Sequence, residues 1–230
     1  MRVLSLVSRT PRSGKTTIAG HLAVEANLRG AGPVALIDLD PERALTRWWN
    51  EREAETPLLA QTTLETLASD INRLAQAGVK LAIIDTPAAA QIAIGEVVAV
   101  SDLVLIPARP AAQGLLSAAA TVELIGVHGK PIVFVLNGVT QTTRITAESL
   151  TALSQHGPLA PAIIHENGDF ATTMAGGRTV TEIPVLSPSR REIERLWRFV
   201  DERLPAPPVA AASEPAQAAD GIDSGTAAAA

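Results

Sequence analysis

The residues best suited to chemistry follow the first apolar run. Val3–Val7 leads through Ser8 into Arg9-Thr10-Pro11-Arg12-Ser13-Gly14-Lys15-Thr16-Thr17, where a helical pattern opens. A strand, a loop and a helix starting at Gly-Lys-Thr make a phosphate cradle, because main-chain N–H groups at a helix N-terminus attract phosphate oxygens. Gly14 lets the backbone approach closely, Lys15 reaches the β- and γ-phosphates, and the Thr16 hydroxyl is a Mg²⁺ ligand. Thr17 is placed to touch an α-phosphate, and Arg12 and Ser13 complete the nucleotide-binding loop. The regular Gly-x-x-x-x-Gly-Lys-Ser/Thr pattern needs Gly at position 9, where Arg9 stands. Gly-Lys-Thr-Thr alone also fits a helix cap beside a surface lysine. Its place after the first strand and before an apolar helix favours phosphate.

Three carboxylates end apolar runs, where ligands sit in open α/β sheets. Asp38 and Asp40 close Ala35-Leu36-Ile37-Asp38-Leu39-Asp40-Pro41, and Asp85 closes Leu81-Ala82-Ile83-Ile84-Asp85-Thr86-Pro87. A carboxylate there can hold Mg²⁺ through its water shell. Another can orient the attacking water in phosphoryl transfer. One Asp beside Pro is an ordinary turn former. Three such Asp together with Gly14-Lys15-Thr16 point to a site.

The elements that must position these groups alternate. β-rich runs cover Val3–Val7, Val34–Ile37, Leu81–Ile84, Leu103–Ile106 and Ile132–Leu136, with a shorter one at Ala162–His165. The early runs are almost wholly apolar, as in strands buried on both faces. Helical patterns cover Thr16–Arg29, Leu64–Ala77, Ala112–Val127, Ala147–His156 and Arg190–Leu204. In the last, Ile193, Leu196, Trp197 and Val200 recur at helical spacing. The alternation predicts an α/β fold in a single domain over residues 1–204, which the Gly-Lys-Thr loop after its first strand marks as a P-loop NTPase. Its mostly parallel twisted sheet carries helices on both faces and right-handed crossovers. Residues 205–230 are Ala/Pro-rich and predict a disordered acidic tail.

Composition narrows the class. The 230 residues are 47% hydrophobic and 19% charged, with a net charge of −5. A chain this long can bury roughly 70% of its unfolded surface. Without cysteine there is no disulfide framework, thiolate metal site or Cys nucleophile. Four scattered histidines do not pair at zinc spacing. His128, His156 and His165 are placed in loops or at element ends and assigned no chemistry. No apolar run reaches the ~18 residues of a membrane span, and the N-terminus does not read as a secretory signal, so the expected compartment is the cytoplasm. The net charge argues against a constitutively basic nucleic-acid binder. Glu214, Asp220 and Asp223 account for three of those negative charges, however, and arginines crowd the stretch from Arg178 to Arg203.

The deviant loop, Asp-x-Asp-Pro, Ile-Ile-Asp-Thr-Pro and a strand ending in Leu136-Asn137 resemble the ParA/MinD family of deviant Walker A P-loop ATPases. The resemblance runs in order over about residues 1–204 and is nearest the small ParA-type partition ATPases. Ala44-Leu45-Thr46-Arg47-Trp48 and the stretch His165–Arg178 are similar to the VirC1-like branch. The resemblance implies ATP and Mg²⁺ as cofactors and a homodimer closed on ATP. It implies slow hydrolysis stimulated by a ParB-like or cargo-adaptor partner, and nonspecific DNA binding that places the ATP form on the nucleoid. It assigns Lys15 and Asp40 to catalysis, with Asp40 positioning the hydrolytic water. Asp38 and Asp85 join Thr16 at the metal, and Asn137 reads the adenine, although Asn137 beside Gly138 by itself reads as a turn.

The family loop carries a lysine that reaches across the dimer to the other subunit's ATP. Here that position is Thr10, and the two glycines after it are Pro11 and Arg12. Arg12 or Arg9 is a candidate replacement cation, since arginine forks onto phosphate oxygens. Arg178, Arg190 and Arg191 occupy the stretch through which the family binds DNA. Arg191, Arg195 and Arg198, interleaved with Glu192 and Glu194, also fit a solvated helix face with local ion pairs. The last helix lacks a lipid-facing stripe, which argues against a membrane role. Trp48-Trp49 reads as a partner site or as half core. The leading function is an ATP-dependent ATPase that segregates or positions a plasmid, chromosome region or other cargo on DNA. The alternatives are an ATP-binding switch with little hydrolysis, a small-molecule enzyme resembling dethiobiotin synthetase, and a non-enzymatic interaction module. Thr86-Pro87-Ala88-Ala89-Ala90 stands where the small-molecule enzyme expects a Gly-rich segment. The interaction module leaves Gly-Lys-Thr and the carboxylates unexplained.

Overall fold

The computed structural model describes residues 1–88, 91–141 and 143–206. The tail expected to be disordered lies outside the described residues except for Pro205 and Ala206, both exposed. Seven strands form one sheet: β1 (Arg2–Leu6), β2 (Val34–Asp38), β3 (Leu58–Ala60), β4 (Leu81–Asp85), β5 (Leu103–Ala108), β6 (Ile132–Val139) and β7 (Leu159–His165). Their spatial order is β3-β2-β4-β1-β5-β6-β7, and every neighbouring pair is parallel. Residues of β1, β2, β4 and β5 are buried throughout. That follows from their apolar runs, which only a sheet covered on both faces can accommodate.

Alternate side chains go to opposite faces. Leu4 and Leu6 of β1 pack with α1 (Lys15–Leu28), α2 (Ala44–Asn50) and α8 (Pro188–Asp201). Val7, Val104, Ile106 and Phe134 pack on the other face with α4 (Gln91–Val100), α5 (Ala112–Gly126) and α6 (Arg144–Ser154). Leu67 of α3 (Leu67–Gln76) joins that second face beside Ile37 and Ile84. α7 (Gly168–Ala175) closes the first face through Phe170. The chain fills the β4 side of β1 before crossing to β5. The crevice beyond the strand ends therefore opens at β1, the switch point of the sheet.

Boundaries differ from expectation where local chemistry decides them. α8 begins at Pro188, two residues early, because the Ser187 hydroxyl accepts from the Arg190 N–H at 3.2 Å and Pro suits the first helical turn. α6 begins at Arg144, where Thr143 and Thr146 form a reciprocal capping box. Four elements were not expected: α2, β3, α4 and α7. Trp48 of α2 is core and its indole N–H donates to the Arg178 carbonyl at 3.2 Å. Half-buried Trp49 donates to the Pro57 carbonyl at 2.7 Å, so the tryptophan pair ties α2 into the body.

His21 of α1 is wholly buried, with Nδ1 2.8 Å from the Thr17 carbonyl and its ring edge-on to Phe170. Burial pulls the imidazole down from 6.5 to about 4, against the Thr17 carbonyl and the Glu182 charge. The unfolded chain takes up this proton near pH 6.5 and the folded one only near 4. Its stabilisation is therefore complete above pH 6.5 and declines as pH falls through that window, at up to ~1.4 kcal/mol per pH unit. Urea melts at pH 7 and pH 5 are expected to show a larger loss for the wild type than for His21→Gln.

Candidate functional site

The loop between β1 and α1 is held from three strands. From β6, the Asn137 amide donates to the Ser13 carbonyl at 2.7 Å. Gly14 has φ 95°, and a Cβ there would overlap that same amide, so glycine is required twice over. From β4, Asp85 accepts from the Thr16 hydroxyl at 2.6 Å. From the end of β5, Arg109 donates through Nε to the Arg12 carbonyl at 3.1 Å. Arg12 itself sits at φ 56°, a left-handed conformation that favours glycine. No side chain caps α1 at Gly14. The N–H groups of its first turn have no intrahelical acceptor and face an anion-binding position.

The carboxylates meet this loop at the strand ends. Register pairs Asp85 with Leu6 of β1 on one side and with Asp38 on the other. One Asp85 oxygen takes the Thr16 bond, and the other is buried without a partner. Burial pushes the Asp85 carboxyl up to about 7, opposed by the Thr16 hydrogen bond and the Lys15 charge and assisted by Asp38 and Asp40. Burial also lowers the Lys15 ammonium, with Asp85 and Asp40 opposing. Its Nζ lies 3.4 Å from the Ser8 carbonyl.

Asp38 and Asp40 divide their work. One Asp38 oxygen accepts from the Asp40 N–H at 3.1 Å, and the other from the Thr46 N–H at 2.8 Å and the Thr46 hydroxyl at 2.7 Å. These bonds shape the Asp40 loop and the start of α2 from Asp38, the residue expected beside the metal. Arg43, at φ 50°, braces the same loop by donating to the Asp38 carbonyl at 2.6 Å. Half-buried Asp40 accepts from the Glu42 N–H at 3.0 Å.

Residues 11–17, Asp40, Pro41, Glu42, Pro87, Ala88 and Arg109 line one open cavity of about 910 Å³. It therefore gathers Arg12, Ser13, Gly14, Lys15, Thr16, Thr17 and Asp40, whereas Arg9 is not among its lining residues. A second cavity of about 340 Å³ shares Gly14, Thr17 and Arg109 and adds Asn137, Gly138, His165 and Phe170. Asn137 lies within β6 rather than in a turn. His165, to which the sequence assigned nothing, ends β7 and bonds Glu192 through Nδ1 at 2.7 Å. Arg109 was missed: it follows Ile-Pro-Ala with no motif around it, and its partners lie far away in sequence.

The expected DNA-binding arginines fall into two groups. Arg190 is engaged, donating to Glu194 at 3.0 Å and to the Ile183 carbonyl at 3.3 Å. Arg178 and Arg191 are exposed. Glu192 is taken by His165, and Glu194 by Arg29 and Arg190. Among the described residues, Arg191, Arg195 and Arg198 therefore form an exposed stripe on α8 without ion pairs.

The donor set fits Mg²⁺ and not a protein-caged metal. No group of three or more His, Cys, Asp or Glu side chains gathers among the described residues. Thr16 Oγ1 and the unpartnered Asp85 oxygen offer a sparse, all-oxygen contact of the kind Mg²⁺ completes with phosphate and water. Among the same residues no helix is long and apolar enough to cross a membrane.

An uncapped glycine-led helix at the switch point of a parallel sheet, with a buried strand-end Asp bonded to its threonine, defines a P-loop NTPase fold. The family model for the CobQ/CobB/MinD/ParA nucleotide binding domain matches residues 4–180, and the chain belongs to that family. It is similar to maintenance of carboxysome distribution protein A of Halothiobacillus neapolitanus, 24% identical over 84% of this chain and 92% of the relative. It is also similar to ParA of Rhizobium radiobacter, 32% identical over 57% of this chain and 60% of the relative. Among solved structures, an ATP complex of a variant of Cyanothece McdA aligns with TM-score 0.67 at 21% identity, covering 88% of this chain and 96% of that one.

Gly14→Ala is expected to cost about 1–3 kcal/mol from the left-handed backbone and the overlap with Asn137. Adding Asn137→Ala should recover part of that loss by removing the overlap. A double-mutant cycle by urea denaturation checks the coupling.

Proposed function

We propose that residues 1–204 form an ATP-dependent partition or positioning ATPase that dimerises on ATP and binds DNA without sequence preference. In this role it segregates a plasmid, a chromosome region or another cargo with a stimulating adaptor protein. The observation that carries the proposal is the bond from Thr16 to Asp85, whose other oxygen is buried and unpartnered, on a loop whose cavity also holds Lys15 and Asp40. The family match, the names of the two relatives and the ATP complex of the solved neighbour support it.

Each residue then has a task. The first-turn N–H groups and Lys15 hold the phosphates, and Thr17 lies beside the α-phosphate. Thr16 and Asp85 hold Mg²⁺, which when bound neutralises charge on the phosphate oxygens. Asp40 orients the attacking water, and Asp38, which also fixes the loop that carries Asp40, stands beside Asp85 at the Mg²⁺ shell. Asn137, which also braces the loop, reads the adenine in the second cavity. The α8 arginines Arg191, Arg195 and Arg198, with Arg178, offer phosphate contacts to DNA, and Arg190 supports them from within its ion pair. Such contacts need only cations on one face and weaken with salt. A switch with little hydrolysis is the second reading, favoured by Thr10 where the family's cross-dimer lysine would stand.

Duplex-DNA binding at one fixed salt concentration is expected with ATP–Mg²⁺, not with ADP–Mg²⁺, and not with Lys15→Ala. DNA affinity that ignores the nucleotide would remove the proposed switch. Combined Arg191→Ala, Arg195→Ala and Arg198→Ala should weaken the ATP-state complex and flatten its salt dependence, by ~0.9 in log–log slope for each phosphate no longer neutralised. Asp40→Ala is expected to bind ATP near the wild-type affinity and to lose turnover by about 100-fold or more. Hydrolysis at the wild-type rate would assign the water to another group.

A further inference from the structure

Arg109 lies where the two cavities meet. With Gly14 and Thr17 it is one of three residues lining both. Its Nε is spent on the Arg12 carbonyl at 3.1 Å, which fixes the plane of the guanidinium. The guanidinium lies on the backbone of Gly138, where φ is 70° and a Cβ would come within 3.0 Å of its carbon. No carboxylate stands within ion-pair distance of it among the described residues. Arg43 and Arg47 beside the cavity are committed, to the Asp38 and Glu42 carbonyls, and Arg12 is the other arginine lining the first cavity. Arg109 is therefore an anchored, uncompensated cation with both terminal nitrogens unspent, beside a loop that has Thr10 where the family's lysine would stand.

We propose that Arg109 is a polyphosphate-binding residue that presents Nη1 and Nη2 to phosphate oxygens of the nucleotide in the Gly14–Thr17 loop. This deepens the proposed function and rests on its nucleotide site. A guanidinium held by one N–H keeps its remaining donors in a fixed fork, which suits phosphate and loses little entropy on binding. Arg109 supplies in the same subunit a positive charge that the loop lacks at Thr10. It also couples occupancy to the left-handed turn at Arg12, because one side chain grips both.

Titration calorimetry with ATP–Mg²⁺ and with inorganic tripolyphosphate tests this on wild type, Arg109→Gln, Arg109→Lys and Lys15→Ala. Ligand-observed NMR with adenosine serves as the phosphate-free probe. Arg109→Gln keeps an N–H for the Arg12 carbonyl and removes the charge. It is expected to melt like the wild type, to weaken both phosphate ligands about tenfold, and to leave adenosine unchanged. Arg109→Lys should recover part of the loss. Wild-type tripolyphosphate affinity in Arg109→Gln would overturn the proposal, as would an equal loss for adenosine. In those cases wild-type ATP binding abolished by Lys15→Ala would leave the nucleotide site standing. A wild-type protein that binds neither phosphate ligand would instead overturn the nucleotide site, and this proposal with it.

Discussion

The structure depends on one buried carboxylate. Asp85 ends a strand with no exposure, flanked by β1 and β2, and accepts a hydrogen bond from the first turn of α1. An ionised carboxylate at such depth is costly unless it is compensated. Thr16 and Lys15 compensate it in part, and the second oxygen is left without a partner. The loop from β1 to α1 is therefore bound to follow a path that brings Thr16 and Lys15 over β4.

The remaining constraints on the loop come from the opposite side of the switch point. Asn137 on β6 and Arg109 past β5 each donate to a loop carbonyl, at Ser13 and Arg12. With those carbonyls taken up by the protein, consecutive N–H groups are left for the cavity, the arrangement of an anion nest. The backbone strain at Arg12 and Arg43 sits in the two segments that face each other across the cavity. Strain of this kind persists where surroundings over-determine it. Here the carbonyls of Arg12 and Asp38 are each held by an arginine from outside the turn or from its far end.

The central strands were legible because a strand covered on both faces has almost no choice of residue type. β1, β2, β4 and β5 are apolar runs, and their positions follow directly. α4 was not legible, since Ile92, Ile94, Val97 and Val98 are β-branched and Gly95 interrupts them, so neither period stands out. α2, α7 and β3 are too short for periodicity to show. Within the site, Lys15, Thr16, Asp40 and Asp85 could be placed from their position after strands. The bonds Asp38 makes could not be read, because they depend on Thr46, eight residues further along the chain. Arg109 was invisible for a similar reason: its partner carbonyl at Arg12 is brought near by the β1–β5 pairing and by nothing local.

The α8 arginines and the phosphate loop lie on elements that share one core. Ile193, Leu196, Trp197 and Val200 of α8 pack in the same cluster as Ile18, Leu22 and Ala26 of α1. α1 starts at the phosphate loop, and its buried face packs on the helix that displays Arg191, Arg195 and Arg198. Glu25 of α1 pairs with Arg29, and Arg29 also reaches Glu194 of α8, which in turn holds Arg190. Of the two carboxylates interleaved with the arginine stripe, Glu194 is thereby drawn inward toward α1, and Glu192 pairs with His165 of β7. Close-packed helices move as units rather than deforming smoothly. A displacement of α1 against the sheet would be felt at α8 both through the shared apolar packing and through the Glu194 hub that leaves the outer arginines free.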